Sequence, residues 1–592
     1  MRDMSNVFSL NGSDWFIYPD GASSGVLDKL YSAPTSGEGW VPARVPGNIQ
    51  ADLEAAHILK PLWYGAGDCR MEEVPRKDWW YRKDFFAPNS FREKRVKLVF
   101  DGVDYECEVW LNNKRLGTHA DMFRRFGFDV ADIIRLGKTN QLVVKIYRRN
   151  PERDKIDPEF WNHNLPGKSP INQGWDWGIR LWTLGIWKDV RLEASGPARI
   201  DWVQVQTRLR DEYRKATVKA RLEIDSLDYR RAKAVFRIRG WGTKSEVVVD
   251  TVLGKGNSIV EVELELDNPN LWWPNGQGEQ ALYKLDSQLI TKRDELLQFK
   301  CSNCSENIAV TYVGVGEVAE CEKCKARVRV PEDAVQLLDD EGVNATDNVR
   351  ETVSHANTTR FGVREIRWEQ VEGASADFIN PFQLIVNGQP IRMMGANILP
   401  PDCLLARSDE RGIRLLHLAK GAGMNALRVW GGGISFSQRM YDLADELGLM
   451  MSQEFPLGGG VPPSDSVYVE TLETTILSIV KQLRNHPCVI EWGGGNEVQW
   501  KQGGNQPALL AMERIVANHD DRIFRATCPI QGSYGHSPYM YWPEWKPYVK
   551  FFGTSEENDY YQFYNSRDQM RVGEFGAQSP AHLEVWHREI PP

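Results

Sequence analysis

Near residue 380 of this 592-residue sequence the periodicity changes, and that change constrains the fold more than any other feature. Before it, short alternating or apolar runs such as 96–100, 106–111 and 141–146 are broken by turn pairs such as Asp101-Gly102 and Asn112-Asn113. Helical spacing is scarce there apart from 49–59. After it, strand-length apolar runs alternate with helical stretches. The run 391–396 precedes a helix over 408–422, and 425–430 leads into one around 438–447. The run 449–455 precedes 468–484, and 489–492 precedes a helix ending near Asn518. Strands alternating with amphipathic helices build a parallel sheet, here predicted as a (β/α)8 TIM barrel.

The earlier part divides further. Residues 1–195 read as a β-sandwich. From 196 onward, strands over 217–224, 234–239, 245–252, 258–266 and 281–290 recur at the spacing of an immunoglobulin-like sandwich. Over 291–358 charge rises, apolar periodicity weakens and four cysteines arrive together, which marks an insertion. Strand-like sequence over 360–368 reads as the sandwich's last edge. The expected division is 1–195, then 196–370 with an insertion at about 296–350, then 371–592. The whole is a multidomain β and α/β chain.

Composition narrows the function classes. With 42% hydrophobic and 26% charged residues, the chain can bury large cores. Its net charge is −9 and its Lys and Arg are scattered, so no nucleic-acid face is expected. No run of about 20 apolar residues occurs, so no membrane span is expected either. The opening Met1-Arg2-Asp3-Met4-Ser5-Asn6 has no apolar signal segment, and five of nine cysteines lie far apart. A reducing, cytoplasmic location fits both observations. The 22 tryptophans suit pyranose faces, although sandwich cores also use them.

Two glutamates stand where strands end. Glu497 follows the apolar run 488–492 and Gly493-Gly494-Gly495-Asn496, whose small residues let backbone crowd a ligand. Glu574 sits in Val572-Gly573-Glu574-Phe575-Gly576, read as a second strand tip. Barrel enzymes keep catalytic side chains at the carboxyl ends of strands, here the fourth and the seventh by count. Glycoside cleavage with retention needs such a pair: one acid protonates the leaving oxygen while one carboxylate attacks the anomeric carbon. Asn496 is placed to hydrogen-bond the sugar's 2-hydroxyl.

An ordered series of motifs extends this reading along nearly the whole chain. It includes Leu10-Asn11-Gly12, Asp78-Trp79-Trp80-Tyr81-Arg82, Gly174-Trp175-Asp176-Trp177-Gly178 and Leu271-Trp272-Trp273-Pro274-Asn275-Gly276. Gly395-Ala396-Asn397, Leu427-Arg428-Val429-Trp430-Gly431-Gly432-Gly433, Asn496-Glu497 and Glu574-Phe575-Gly576 complete it. In these motifs the chain resembles glycoside hydrolase family 2, in its β-mannosidase branch. The resemblance implies a jelly-roll sugar-binding-like domain, an immunoglobulin-like domain and a catalytic barrel. It implies Glu497 as acid/base, Glu574 as nucleophile and Asn496 as the 2-hydroxyl contact. Arg428 would keep the nucleophile ionised and Trp430 would line the pocket. The Trp175-Asp176-Trp177 loop would reach from the first domain to the terminal sugar, which points to β-mannosides. An exo-β-glucosaminidase, a β-galactosidase-type enzyme and a non-catalytic carbohydrate-binding relative are the alternatives. No catalytic cofactor is implied, the partner is an oligosaccharide or glycoside, and the oligomeric state stays open. The chain departs from the pattern at Ile398, where the family carries Trp, and at Ser452-Gln453-Glu454-Phe455. The segment around His536 does not align with the family's His-and-Trp loop.

Cys301-x-x-Cys304 and Cys321-x-x-Cys324, sixteen residues apart, match the knuckles of a zinc ribbon. Four thiolates leave no open coordination site, so a zinc ion here would be structural; redox pairs or unpaired core cysteines are the alternatives. The sequence stops eighteen residues after Glu574, too few for an eighth strand. The expectation is a truncated copy of a longer protein, poorly soluble and weakly active when made as written.

Overall fold

The structure, a computed structural model, describes residues 6–20, 39–62, 69–150, 165–175, 178–291, 296–310, 318–331, 335–337, 352–373, 382–498, 506–529, 535–539 and 572–576. The first strands pair into two antiparallel sheets. One runs in the order Val41–Val45, Gly12–Asp20, Asp78–Phe86, Thr139–Ile146, Glu106–Leu111, Lys114–Ala120. The other runs Val7–Ser9, Val190–Ser195, Arg95–Phe100, Phe126–Asp129. Trp15, Tyr81, Leu98, Phe100, Val109 and Leu142 share one buried cluster, and burying such faces against each other drives sheet stacking. The early helix is Ile49–Ala55, shorter than the expected 49–59, because Ala56 leaves helical geometry and His57 takes a positive φ of 58°.

A second sandwich follows. Ala198–Arg210, Lys215–Ser226 and Gly256–Asp267 form one sheet; Thr243–Leu253, Arg230–Gly240, Leu282–Thr291 and Thr352–Gly362 form its partner. Its core includes Leu222, Phe236, Tyr283, Leu289 and Phe361. Between the last two of these strands lies a small β-module with its own core of Phe299, Ile308, Ala319, Val328 and Val330 around Cys301 and Cys321.

Two strand expectations are corrected. The run 360–368 is not one edge strand: Thr352–Gly362 completes the sandwich, whereas Ile366–Gln370 pairs with Phe382–Val386 in a separate sheet. The break buries Arg364, whose Nε and Nη2 donate to the carbonyls of Pro487 and Val489 at 2.6 and 2.7 Å, so the backbone must leave the sheet. The run 391–396 also splits. Gln389–Ile391 closes a hairpin on Phe382–Val386, and the first parallel strand is Gly395–Ile398.

That strand, β1 (Gly395–Ile398), opens a parallel sheet continued by β2 (Ala426–Val429), β3 (Met450–Glu454), β4 (Val489–Gly493) and β5 (Phe524–Arg525). Four helices connect them: α1 (Ser408–Gly421), α2 (Gln438–Leu447), α3 (Ser466–Leu483) and α4 (Pro507–His519). Local chemistry sets their ends. Asp409 and Glu410 lie in the first turn of α1 and Lys420 in its last, each sign matching the helix dipole. Asp465 caps α3 by accepting from the Tyr468 amide at 2.9 Å. Gly448, at a φ of 73°, ends α2 in the left-handed conformation that glycine adopts without strain. The apolar faces of the helices, including Leu416, Met440, Ile476 and Ile479, pack on Leu427, Met451, Ile490 and Trp492. No described helix is long and apolar enough to cross a membrane.

Candidate active site

Register in the parallel sheet puts Asn397, Arg428 and Ser452 side by side. Side chains two residues apart on a strand share a face, so Glu454 lies on the same side as Ser452. The neighbouring Ser452 Oγ donates to Glu491 Oε1 at 2.5 Å, and Arg525 Nε donates to Glu491 Oε2 at 2.7 Å. One face of the sheet is therefore polar and internally paired.

Arg428 is the centre of this face and is almost fully buried. Its Nε and Nη2 donate to the two oxygens of Glu454 at 2.7 and 2.9 Å. Nη2 also donates to Asn496 Oδ1 at 2.7 Å, and Nη1 donates to Glu574 Oε1 at 2.7 Å. Asn397 Oδ1 stands 3.4 Å from Nη1. One guanidinium thus gathers side chains from four separate strands or strand ends, and Glu574 keeps 21% of its side chain exposed.

Glycine makes the approach to Glu497 possible. A Cβ on Gly494 would lie 2.2 Å from the Ala526 carbonyl oxygen, and one on Gly431 would lie 2.6 Å from the Asn496 nitrogen. Glu497 itself has a φ of 52°, a region most non-glycine residues avoid. Its neighbours hold it there. The Glu497 amide donates to the Cys528 carbonyl at 2.6 Å, and the Val498 amide donates to Thr527 Oγ1 at 3.0 Å. Backbone strain held by surrounding contacts is a mark of functional positions. Asn496 Nδ2 faces Glu497 Oε2 at 3.4 Å, so the two glutamates are joined through Asn496 and Arg428.

Glu574 is not at a strand tip, as expected, but at the centre of the strand Val572–Gly576. The ladder with Gly535–Tyr539 runs on to pair Gly576 with Tyr539. Asp176 and Trp177 lie outside the described residues, and nothing is described of the His536 side chain. Trp175 is described. Its ring meets Trp430 edge to face, with centroids 4.9 Å apart, and Trp430 is buried. The segment leading to it is docked on the Gly431-Gly432-Gly433 loop, where the Ile171 amide donates to Gly432 at 2.8 Å and Ser169 Oγ donates to Gly433 at 2.6 Å. Its root is held by a buried ion pair of Lys168 with Asp104, which also accepts from Thr183 Oγ1 at 2.7 Å. Burial pushes the Asp104 carboxyl up, and Lys168 opposes that shift.

Sequence reasoning noted Glu454 only as a departure and gave Asn397 no role. The signal for Glu454 was a carboxylate between Leu449-Met450-Met451 and Phe455, in a strand whose buried charge has to be paired.

The four cysteines converge. Cys301 Sγ lies 3.7 Å from Cys324 Sγ, Cys304 Sγ lies 3.6 Å from Cys321 Sγ, and all four fall within 4.8 Å of one another. The two knuckles repeat each other. Ser305 and Lys325 both have a φ of 59°, and their amides donate back to Cys301 and Cys321 at 2.9 and 2.8 Å. A tetrahedron with metal–sulfur bonds of about 2.3 Å has edges of about 3.8 Å, close to these separations. Hydrogen bonds from Asn303 and the Ala326 amide hold the Cys324 thiol down to about 6, while desolvation and the neighbouring thiols push that of Cys304 up to about 12.

Residues 29–188 match the family model "Glycosyl hydrolase 2 galactose-binding domain-like", and residues 198–302 match "Glycosyl hydrolases family 2". The chain is 26% identical over 479 residues to a β-mannosidase of Rattus norvegicus, covering 77% of this chain and 47% of that protein. It is 26% identical over 480 residues to β-mannosidase B of Aspergillus fumigatus, covering 78% and 49%. The chain thus spans about half the length of the curated relatives it matches. The solved β-D-mannosidase of Dictyoglomus thermophilum superposes with a TM-score of 0.73 at 26% identity, covering 99% of this chain and 65% of that one. An exo-chitosanase of Amycolatopsis orientalis, at 19% identity and a TM-score of 0.65, shares the fold.

Proposed function

From a chain that is β-mannosidase-like and built on domains of glycoside hydrolase family 2, we propose a retaining exo-glycosidase acting on terminal β-D-mannosyl residues. The observation that carries this reading is the Arg428 bridge, which links Glu574 to Asn496 and, through it, to Glu497. Glu574 attacks the anomeric carbon while Glu497 protonates the departing oxygen, giving a glycosyl-enzyme ester. Glu497 then takes a proton from the water that hydrolyses it. Arg428 favours the ionised form of Glu574, since a charge-assisted hydrogen bond stabilises the carboxylate. Asn496, with its carbonyl engaged by Arg428, offers its amide hydrogens to the sugar's 2-hydroxyl. Asp176, next in sequence to Trp175, is the residue this reading assigns to selection of the terminal sugar.

The parallel sheet β1–β5 belongs, on this reading, to a (β/α)8 barrel to which residues 371–592 contribute. Residues 1–195 form the sugar-binding-like sandwich and 196–370 the immunoglobulin-like one. The four cysteines hold one structural zinc ion with no part in turnover. Assay on nitrophenyl β-mannoside, β-galactoside and β-glucosaminide tests the assignment. Preferred turnover of the mannoside is expected. Preference for either other sugar would move the enzyme to a different branch, and no turnover of any would leave a carbohydrate-binding relative.

A further inference from the structure

We propose that Glu454 is a positioning residue for the reaction: it fixes the rotation of the Arg428 guanidinium and thereby aims both Glu574 and Asn496. This rests on the glycosidase reading of the site. Glu454 ends β3, is 3% exposed and acts only through its neighbours. Oε1 accepts from Arg428 Nε at 2.7 Å; Oε2 accepts from Arg428 Nη2 at 2.9 Å and from the Gly431 amide at 2.7 Å. A carboxylate that engages Nε and Nη2 side by side blocks rotation about the Cδ–Nε bond. With the plane fixed, Nη1 points at Glu574 Oε1 and the second hydrogen of Nη2 at Asn496 Oδ1, each at 2.7 Å. Because Asn496 accepts through Oδ1, its Nδ2 is turned the other way, toward Glu497.

Charge balance argues against a merely compensating role. Arg428 already has Glu574 as a counter-ion, so a second buried carboxylate on the same cation carries a cost. The arrangement supplies direction at the expense of placing two carboxylates on one cation. The Glu454 charge also offsets part of the positive field that Arg428 places on Glu574.

Two substitutions separate these effects. Glu454→Gln keeps the shape but loses the charge, and turns an amide donor toward the donors of Arg428 and Gly431. In it, kcat should fall by about 10²-fold, the scale for misplaced reacting groups. The acid limb of kcat/KM should move to lower pH, because the Arg428 field is no longer shared. Glu454→Asp keeps the charge but shortens the reach, so kcat should fall with the acid limb unmoved. A crystal structure of Glu454→Gln reads the geometry without turnover, and loss of the Nη1–Glu574 contact is expected. A retained contact, or kcat within threefold of the parent in both variants, would overturn the proposal. If Glu454→Gln does not fold, an Asp variant with parental kcat overturns it alone. A parent that hydrolyses no β-glycoside, together with a lost contact in the variant, would instead defeat the glycosidase reading and leave the positioning role standing.

Discussion

The Arg428 cluster and the four-cysteine cluster each bring polar groups together, but from opposite distances in sequence. Arg428, Glu454, Asn496 and Glu574 come from strands or strand ends spread over 147 residues of chain, and each is held by the elements it leaves. Cys301, Cys304, Cys321 and Cys324 come from 24 residues, beside a core of five other buried side chains. The first arrangement is rigid because a large fold surrounds it. The second surrounds its thiols with only a small apolar core, which the proposed metal ion would complete. On the proposed reading, the cluster built by the fold serves chemistry, whereas the one completed by a metal serves the fold.

The contrast breaks most visibly at the nucleophile. Glu574→Ala should lower kcat/KM by at least about 10⁴-fold, the scale for removing an attacking group, while leaving the melting temperature near that of the parent. Residual turnover above one-hundredth of the parent would take that role from Glu574. Next in size is Glu497→Ala. Hydrolysis of a mannosyl disaccharide should fall by about 10²-fold more than that of a dinitrophenyl mannoside, whose leaving group needs no proton. Equal losses would remove Glu497 from the acid role.

Acid should also strike the scaffold, away from both clusters. Burial holds His119 and His355 down to about 4, and His355 Nδ1 accepts from the Ile200 amide at 3.3 Å, as a neutral ring does. Both take up protons more readily in the unfolded chain, whose histidines titrate near 6.5. Their stabilisation is therefore complete above about pH 6.5 and is lost as the pH falls toward 4, by about 2–3 kcal/mol per residue. Chemical denaturation across that range should steepen accordingly, and His355→Gln should flatten the slope; an unchanged slope would mean His355 is not held neutral. The smallest effect on turnover should come from the metal. Purified, reduced protein should carry about one zinc per chain by elemental analysis. Stripping it with a chelator should open residues 296–350 to protease while turnover changes by less than about twofold. Protein without zinc, or turnover lost in step with the metal, would erase the distinction between the two clusters.

What the sequence made legible follows the same division by distance. The helix expected around 438–447 is Gln438–Leu447, since its apolar spacing and the Gly448 stop are local signals. The four cysteines were legible as one group because their spacing alone brings them together. The carboxylate positions were legible through the glycines and Asn496 beside Glu497. Glu454 was not, because its meaning depends on register: only pairing β2 with β3 sets it against Arg428. The split of 360–368 was also hidden, because the partners that bury Arg364 are carbonyls more than 120 residues away. Local chemistry is written in spacing, and pairing across the chain is not.

The central claim is that Glu574 forms the covalent bond to the sugar. Incubation with a 2-deoxy-2-fluoro-mannosyl donor bearing an activated leaving group should trap the glycosyl-enzyme, because the fluorine slows both steps and the leaving group rescues the first. Peptide mapping by mass spectrometry should then find one fluorosugar per chain, on the peptide carrying Glu574. A label on Glu497 or Glu454, or steady hydrolysis of β-mannosides with no label on any residue, would contradict the account.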